Sequence, residues 1–340
     1  MNASAAIAEA FARLPAYLGG HAAVSVTALL IGLAISLPLA VASMRQPALR
    51  SVLLGVASVV QTVPSLALLA LFYPLLLGIA MLTERAFGAG FSALGFLPSV
   101  LALTLYSMLP VLRNTIAGLE GIAPAIKEAA QGVGMTRRQA LLMVELPLAL
   151  PVIMAGIRTA AIWVIGAATL STPIGQTSLG NYIFTGLQTQ NWVFVLFGCA
   201  AAAVFALAVD QLLALMESGL TRRRRGFVVG GAIGLLLIMA MSLAPGLSQQ
   251  RASYVIGTKP FAEQYVLAAL IAQRLGDGGQ SATTREGLGS AVIFDALRTG
   301  DIDVYVDYSG TIWANQMKRS DVKPRAEVLA EMKDWLQRES

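Results

Sequence analysis

Five stretches of this chain contain no Asp, Glu, Lys or Arg: residues 22–43, 51–83, 86–112, 159–209 and 226–250. About 20 apolar residues suffice for one helix to cross a bilayer. Each run therefore accommodates a span, and the fourth is long enough for two. Only 13% of the 340 residues are charged, against about 25% in an ordinary soluble domain. The chain reads as an integral membrane protein, with spans expected near 22–43, 52–80, 94–113, 150–171, 193–216 and 227–246.

Charge sets the expected orientation. The loops after the first, third and fifth spans carry Arg45 and Arg50; Arg113, Lys127, Arg137 and Arg138; and Arg222 to Arg225. The opposite loops carry only Arg13 and Arg85. Ten basic residues against two is a positive-inside bias. It places the 113–150 loop in the cytoplasm and the N-terminus and everything after 246 outside. Residues 1–20 have no basic n-region and read as a short interfacial amphipathic helix rather than a signal peptide. Pro64 and Pro74 interrupt the second span. Arg158, inside the fourth, lies close enough to the cytoplasmic end to snorkel. His21 and Asp210 fall near span ends, where interfacial roles are expected.

After Pro245 the character changes. "SYVIG" reads as a strand, and the helix after it has apolar residues at Val266, Leu267, Leu270, Ile271 and Leu275. "TTREGLGSAVIFDALRTGD" reads as a loop feeding a further helix, and "IDVYVDYSG" alternates like a strand. This order predicts a soluble α/β module tethered by the sixth span, about 90 residues long and without a closing strand, hence part of a domain. The expected divisions are 1–20, 21–220, 221–250 and 251–340.

Several chemistries are excluded. The chain has no phosphate-cradling Gly-x-x-x-x-Gly-Lys-[Ser/Thr] loop and no Gly-x-Ser-x-Gly elbow. One histidine cannot supply a metalloprotease pair, and one cysteine, Cys199, cannot form an intrachain disulfide. Asp301, Asp303 and Asp307 have the density of a calcium loop, but the sharp turn needs Gly where Val306 stands. No catalytic or metal-ligating residue is expected.

The polar stretch from Glu128 to Pro151 has its own local logic. Pro124 suits a first helical position, Gly132 and Gly134 end that helix, and Thr136 with Gln139 forms a capping box that starts a second one. The second helix is expected to run to Pro147. Ala129 and Ala130 leave a bare helix surface for another protein to approach. On these residues alone, a docking helix and an ordinary cytoplasmic hairpin both remain open.

The spacing resolves this by resemblance. Glu128, Ala129, Ala130, Gly134, Val144, Leu146 and Pro147 stand at the positions of the "EAA" loop of binding-protein-dependent ABC importer permeases. In that family the loop seats in a groove of a separate ATPase. Residues 20–217, including "QTVPSLALLALFYPLL" and "ALPVIMAGIRTAAIWVIGAATL", resemble the osmoprotectant branch, which transports glycine betaine, carnitine and choline. "GTKPFAEQYVL", "GLGS" and "DVYVDYSGT" resemble the first lobe of that branch's substrate-binding proteins.

The resemblance implies an all-α polytopic membrane domain, of permease fold with five core spans and one tethering span, followed by a partial α/β periplasmic-binding-protein-like lobe. It implies that Tyr308 walls an aromatic cage for a quaternary ammonium, that Lys259 and Thr311 hold a ligand carboxylate, and that Tyr305 is a weaker candidate. Thr172–Pro173 and Gln176–Thr177 depart from the small, glycine-rich residues usual in relatives, which bears on an external gate. Expected partners are ABC ATPase subunits, a second permease copy, the lipid bilayer and a small zwitterionic or cationic solute. The chain is expected to bind no cofactor, with ATP and Mg on the ATPase. An importer for another solute, such as an amino acid, is the alternative; a membrane-anchored ligand sensor is the reading from another class, against which the lack of any kinase, cyclase or DNA-binding tail counts.

Overall fold

The computed structural model describes residues 3–88, 90–248 and 253–339, and side chains within these apart from 241–248 and 339. Backbone amides in hydrocarbon must bond within their own segment, and the apolar runs are accordingly helices. Among the described residues, five helical stretches are long and apolar enough to cross a membrane: Ala3–Ser43 (α1), Ser65–Phe87 (α3), Phe96–Glu120 (α4), the run Arg137–Ile174, and Trp192–Thr221 (α9). Pro47–Thr62 (α2) is shorter. The 24-residue helix Arg225–Ser248 (α10) covers the expected sixth span.

Two expectations about these helices change. The first 20 residues are no separate helix, because α1 runs unbroken for 41 residues. At about 1.5 Å per residue that is about 60 Å, twice a hydrocarbon core of about 30 Å, so much of α1 projects beyond the bilayer. The second span is not one helix over 52–80. The chain breaks at Val63–Pro64, both extended, and restarts as α3 at Ser65. Pro64 sits just ahead of that restart and costs no helical bond, whereas Pro74 lies inside α3.

The core of the bundle is the crossing of α4 with Leu146–Ala168 (α7), flanked by α1. Gly156 makes it: a Cβ there would lie 2.5 Å from Asn114 Cβ and 2.8 Å from the Pro110 carbonyl oxygen. Small residues at helix contacts let backbones approach where lipid supplies no hydrophobic drive. Between α1, α7 and α9 lies a buried cluster that includes Ala22, Ala161, Ile165, Tyr182, Phe205 and Val209. His21 is fully buried beside it, its ring edge-on to Phe205 at 5.7 Å. Its expected interfacial position is thus corrected.

Arg158 does not snorkel. Its guanidinium grips Asp210 with two bonds of 2.8 and 2.9 Å and reaches Glu217 at 3.1 Å. This ties α7 to α9 and gives Asp210 a structural partner in place of the interface. Sequence alone hides the pairing because the partners lie 52 and 59 residues apart.

The lobe begins with Tyr254–Gly257 (β1), which pairs in parallel with Ala282–Arg285 (β2). The helices Ala262–Asp277 (α11), Ile293–Arg298 (α12), the single turn Ser309–Thr311 (α13) and Arg325–Glu339 (α14) complete it. The expected boundary at 250/251 lies outside the described residues.

Three lobe expectations change. "TTR" is a strand, not part of a loop. The segment after Asp301 forms only a bridge, Val304 to Ile256. There the Asp303 carboxylate accepts from the Val255 amide at 2.6 Å, taking a donor that a third strand's carbonyl would use. On α11, Gln264 and Ala268 are the buried positions, while Val266 and Leu270 are 60% and 56% exposed.

Nor does the lobe hang free on α10. Leu288, Val292, Ile293, Ala296 and Ile302 share one buried cluster with Tyr73, Leu76, Ala93 and Leu94 of the helical bundle.

Candidate functional site

Two groups of expected functional residues lie near opposite ends of α1. At the Ser43 end, Pro124–Gly132 forms α5, with Pro124 at its first turn. The helix ends as the Val133 amide bonds to the Ala129 carbonyl, and Gly134 turns the chain at φ +81°. A side chain is disfavoured at that φ, which accounts for glycine there. Thr136 Oγ1 then accepts from the Gln139 amide at 3.3 Å while Gln139 Oε1 accepts from the Thr136 amide at 2.9 Å. This reciprocal cap starts Arg137–Ala140 (α6).

The second helix does not stop at Pro147. Residues Leu141–Glu145 form a π-turn, in which the Leu146 amide bonds back to the Leu141 carbonyl, and α7 continues from Leu146. A proline lacks the amide and crowds the carbonyl four residues back. The wider π-turn immediately before Pro147 loosens that register and lets the helical run persist.

The seven motif residues take three settings. Glu128, Ala129, Gly134 and Pro147 are exposed, Val144 and Leu146 are half-buried, and Ala130 is buried. The bare surface expected of Ala129 and Ala130 is therefore Ala129 alone; Ala130 faces inward and its carbonyl takes the Met135 amide. Around them Ile126, Val133, Leu142 and Met143 are 39%, 75%, 52% and 65% exposed. Leu146 and Leu141 pack on Leu119, Ile122, Ala149 and Ile153. Lys127 Nζ donates to the Leu119 carbonyl at 3.0 Å and fastens α5 to the end of α4.

At the other end, the lobe residues separate into two groups. Lys259 is 1% exposed; its ammonium is ion-paired with Asp307 and lies 6.0 Å from the Tyr305 ring centre. Tyr305 Oη donates to Asp307 Oδ2 at 3.0 Å. Burial and the adjacent Asp307 carboxylate push the Tyr305 phenol up. Lys259 and Tyr305 thus belong to a buried knot around Asp307.

Tyr308 is apart from them, 54% exposed, with its hydroxyl donating to Glu263 Oε1 at 2.5 Å. That bond holds the exposed Glu263 below the usual carboxylate range and raises the phenol. Thr311 lies one turn on, its amide bonded to the Tyr308 carbonyl at 3.0 Å.

The residues that sequence reasoning missed are those joining the lobe to the bundle. Tyr17 Oη donates to Glu286 Oε2 at 2.7 Å, and Arg13 reaches the same carboxylate at 3.3 Å and Glu9 at 2.7 Å. Tyr265 Oη meets Thr185 Oγ1 at 3.2 Å, and its burial there pushes the phenol up to about 12. The one available signal was Arg13, one of two basic residues on the sparsely charged side.

Comparison with known proteins covers both parts of the chain. Residues 32–225 match the family described as the inner membrane component of binding-protein-dependent transport systems. The chain belongs to that family. Such a permease is a multi-pass inner-membrane subunit of an ABC transporter. Residues 252–334 match the substrate-binding domain of ABC-type glycine betaine transport systems. The permease is 39% identical to the choline transport system permease protein OpuBB of Bacillus subtilis, over 59% of this chain and 85% of that one. It is 38% identical to the glycine betaine/carnitine/choline permease OpuCB of the same organism, over 60% and 86%.

The ergothioneine transport permease/ergothioneine binding protein EgtU of Helicobacter pylori is 30% identical over 79% of this chain, which spans about half, 48%, of that relative's length. Among solved structures, an inward-facing MetNI methionine ABC transporter aligns with TM-score 0.50 and 18% identity, covering 62% of this chain and 95% of that one. That likeness speaks for the fold alone.

Proposed function

We propose that this permease, with its attached lobe, belongs to an ATP-driven importer of quaternary-ammonium osmoprotectants such as glycine betaine, choline or carnitine. One observation carries the reading: a permease match at 32–225 and a glycine betaine-type substrate-binding match at 252–334 occur in a single chain. The ten-to-two charge bias supports a cytoplasmic 113–150 loop and an external lobe, and the two sites lie near opposite ends of α1.

A separate ATPase docks on the loop around Glu128, Ala129, Gly134 and Pro147, where exposed Ile126, Val133, Leu142 and Met143 supply apolar contact area. Val144, Leu146 and Ala130 hold that surface to the bundle and transmit its movement into α7. ATP and Mg act on the ATPase, and this chain binds no cofactor. Two permease copies, as a homodimer, are needed to alternate access across the bilayer.

In the lobe, the exposed Tyr308 ring beside the Glu263 carboxylate suits a quaternary ammonium. Such a group has no hydrogen-bond donor and is held by aromatic faces, at about 0.5–2 kcal/mol each. Lys259, sequestered by Asp307, braces the loop that carries Tyr308; a ligand carboxylate reaches it only by displacing Asp307. Thr311 and Tyr305 border this loop.

Uptake of radiolabelled glycine betaine, choline, carnitine and ergothioneine into vesicles tests the reading. Transport of at least one of the first three, lost in correctly inserted Glu128→Arg, is expected. Transport of ergothioneine alone would favour the second reading, an importer for another small solute, which the relationship to EgtU supports. Undiminished uptake in Glu128→Arg would remove the docking role.

A further inference from the structure

The loop Glu286–Gly289 meets the bundle at two places, the turn between α7 and Gly180–Gln188 (α8) and the neighbouring face of α1. The Gly289 amide donates to the Pro173 carbonyl at 2.9 Å. Leu288, with no exposed surface, lies against Gly175, where even a Cβ would come within 2.9 Å of its Cδ2. Glu286 is held by Tyr17 and Arg13 of α1.

The loop is itself fastened to the lobe, because the Leu288 amide bonds to the Thr258 carbonyl at 2.8 Å and the Gly287 amide to Thr258 Oγ1 at 3.3 Å. The turn is held from the other side as well. The Gly95 amide, at the start of α4, bonds to the Ile174 carbonyl at 2.8 Å. Buried Thr172 bonds to Ser178 at 3.1 Å and Asn181 at 3.3 Å.

The 172–175 turn therefore stands between two sets of bonds, one from the bundle and one from the lobe. It joins α7 to α8, and its conformation, a 3₁₀ stretch Thr169–Ile174 ending at Gly175 with φ +85°, leaves few alternatives that keep both sets. Thr172–Pro173 is also where the chain departs from the small residues expected in relatives. Pro173 fixes the backbone φ there and has no amide that needs a partner.

We propose that residues 286–289 are a clasp by which the lobe holds the permease's own 172–175 turn, so that the lobe sets the conformation of this turn within the same chain. Glu286 on Arg13 and Tyr17 is the polar half of the clasp; Leu288 under Gly175 is the apolar half. Position and strength differ between the halves. Leu288 is fully desolvated and decides whether the turn is gripped, while the partly exposed ion pair fixes where the lobe sits. The partner surface is thus the mouth of this same permease, and the lobe acts on it without a diffusing receptor. The proposal rests on the importer reading only for what the turn gates.

Hydrogen exchange on the full chain in lipid nanodiscs, read in peptides covering 169–181 and 284–292, tests it. Leu288→Asp is expected to speed exchange in both peptides about tenfold or more by opening the local contact, with 104–116 and 153–165 unchanged as a control for folding. Glu286→Arg is expected to do the same more weakly, and the swap Glu286→Arg with Arg13→Glu to restore protection. If 284–292 loosens while 169–181 stays protected, the lobe touches the turn without setting it, and the proposal is overturned. It is equally overturned if neither peptide responds to Leu288→Asp, or if the swap protects no better than Glu286→Arg alone. The importer reading fails separately, if the wild-type chain with its ATPase transports none of the osmoprotectants; the exchange result does not depend on it.

Discussion

Replacing Arg158 with methionine removes a cation from the α7–α9 contact and strands its two carboxylates. Asp210 has a side chain only 10% exposed and loses both of its bonds to the guanidinium, at 2.8 and 2.9 Å; Glu217, 25% exposed, loses one at 3.1 Å. Removing one member of a buried pair costs about 3–5 kcal/mol because the other charge stays buried. Arg158 is itself 31% exposed, so solvent screens part of this, and about 2–3 kcal/mol is a fair expectation. At about 2–4 °C per kcal/mol, the melting temperature falls by about 4–12 °C.

The assay is thermal unfolding of the purified permease in one detergent, followed by intrinsic fluorescence. The variant Arg158→Met/Asp210→Leu separates charge from packing. Apolar replacement of a buried pair is often close to neutral, so the double variant is expected to recover at least half of the loss. A double variant that melts at or below the single one would refute the argument. So would a single variant indistinguishable from wild type.

Four further outcomes are expected. Thr136→Ala removes a cap worth about 1 kcal/mol and so loosens α6; ATP-driven uptake should fall severalfold while helix content by circular dichroism stays near wild type. Gly156→Ala forces a Cβ to within 2.5 Å of Asn114 Cβ, and overpacking of about 1–3 kcal/mol should appear as a lower melting temperature in the same fluorescence assay. Tyr308→Ala should weaken binding of a quaternary ammonium by about 0.5–2 kcal/mol, roughly 2- to 30-fold in a calorimetric titration of the full chain, with Tyr308→Phe retaining most of it. Asp321 is held down to about 2, first by its bond to Arg319. A depressed carboxylate adds stability above its ordinary value near 4, and that contribution is lost as pH falls toward 2. Fluorescence of Trp313, whose ring lies 4.6 Å from the Arg319 guanidinium carbon, should therefore change between about pH 4 and 2, and Asp321→Asn should abolish that step.

What could be read from the sequence follows the range of the interactions concerned. Charge-free runs announce helices because hydrocarbon leaves the backbone no other partner. The Thr136–Gln139 cap was legible because both members lie within one turn. Reach was harder. Composition placed α1 in the membrane from residue 22 on but gave no reason for residues 3–20 to continue the same helix into the lobe's contact surface. Alternation at 301–308 promised a strand, and a single aspartate at 303 took the bond that a third strand needed. By resemblance Lys259 is expected to hold a ligand carboxylate, and nothing near it in sequence announced its ion pair with Asp307, 48 residues on. The Arg158 pairing had no local signal, and that of Glu286 had only the isolated Arg13 on the sparsely charged side, since the partners of each depend on how the helices cross.

The pairing of Arg13 and Tyr17 with Glu286 also has a history in time. Its members are 273 and 269 residues apart, and at about 5–20 residues per second roughly a quarter of a minute to a minute of synthesis separates them. During that interval α1 is made and waits with its polar anchor unfilled, and Tyr73, Leu76 and Leu94 wait with an apolar face uncovered. Closure of so long a loop comes late because its entropy must be met before the contact returns anything. The loop after β2 is therefore what completes the first helix of the membrane bundle, and a ribosome stalled before Glu286 leaves a permease whose mouth has never been closed.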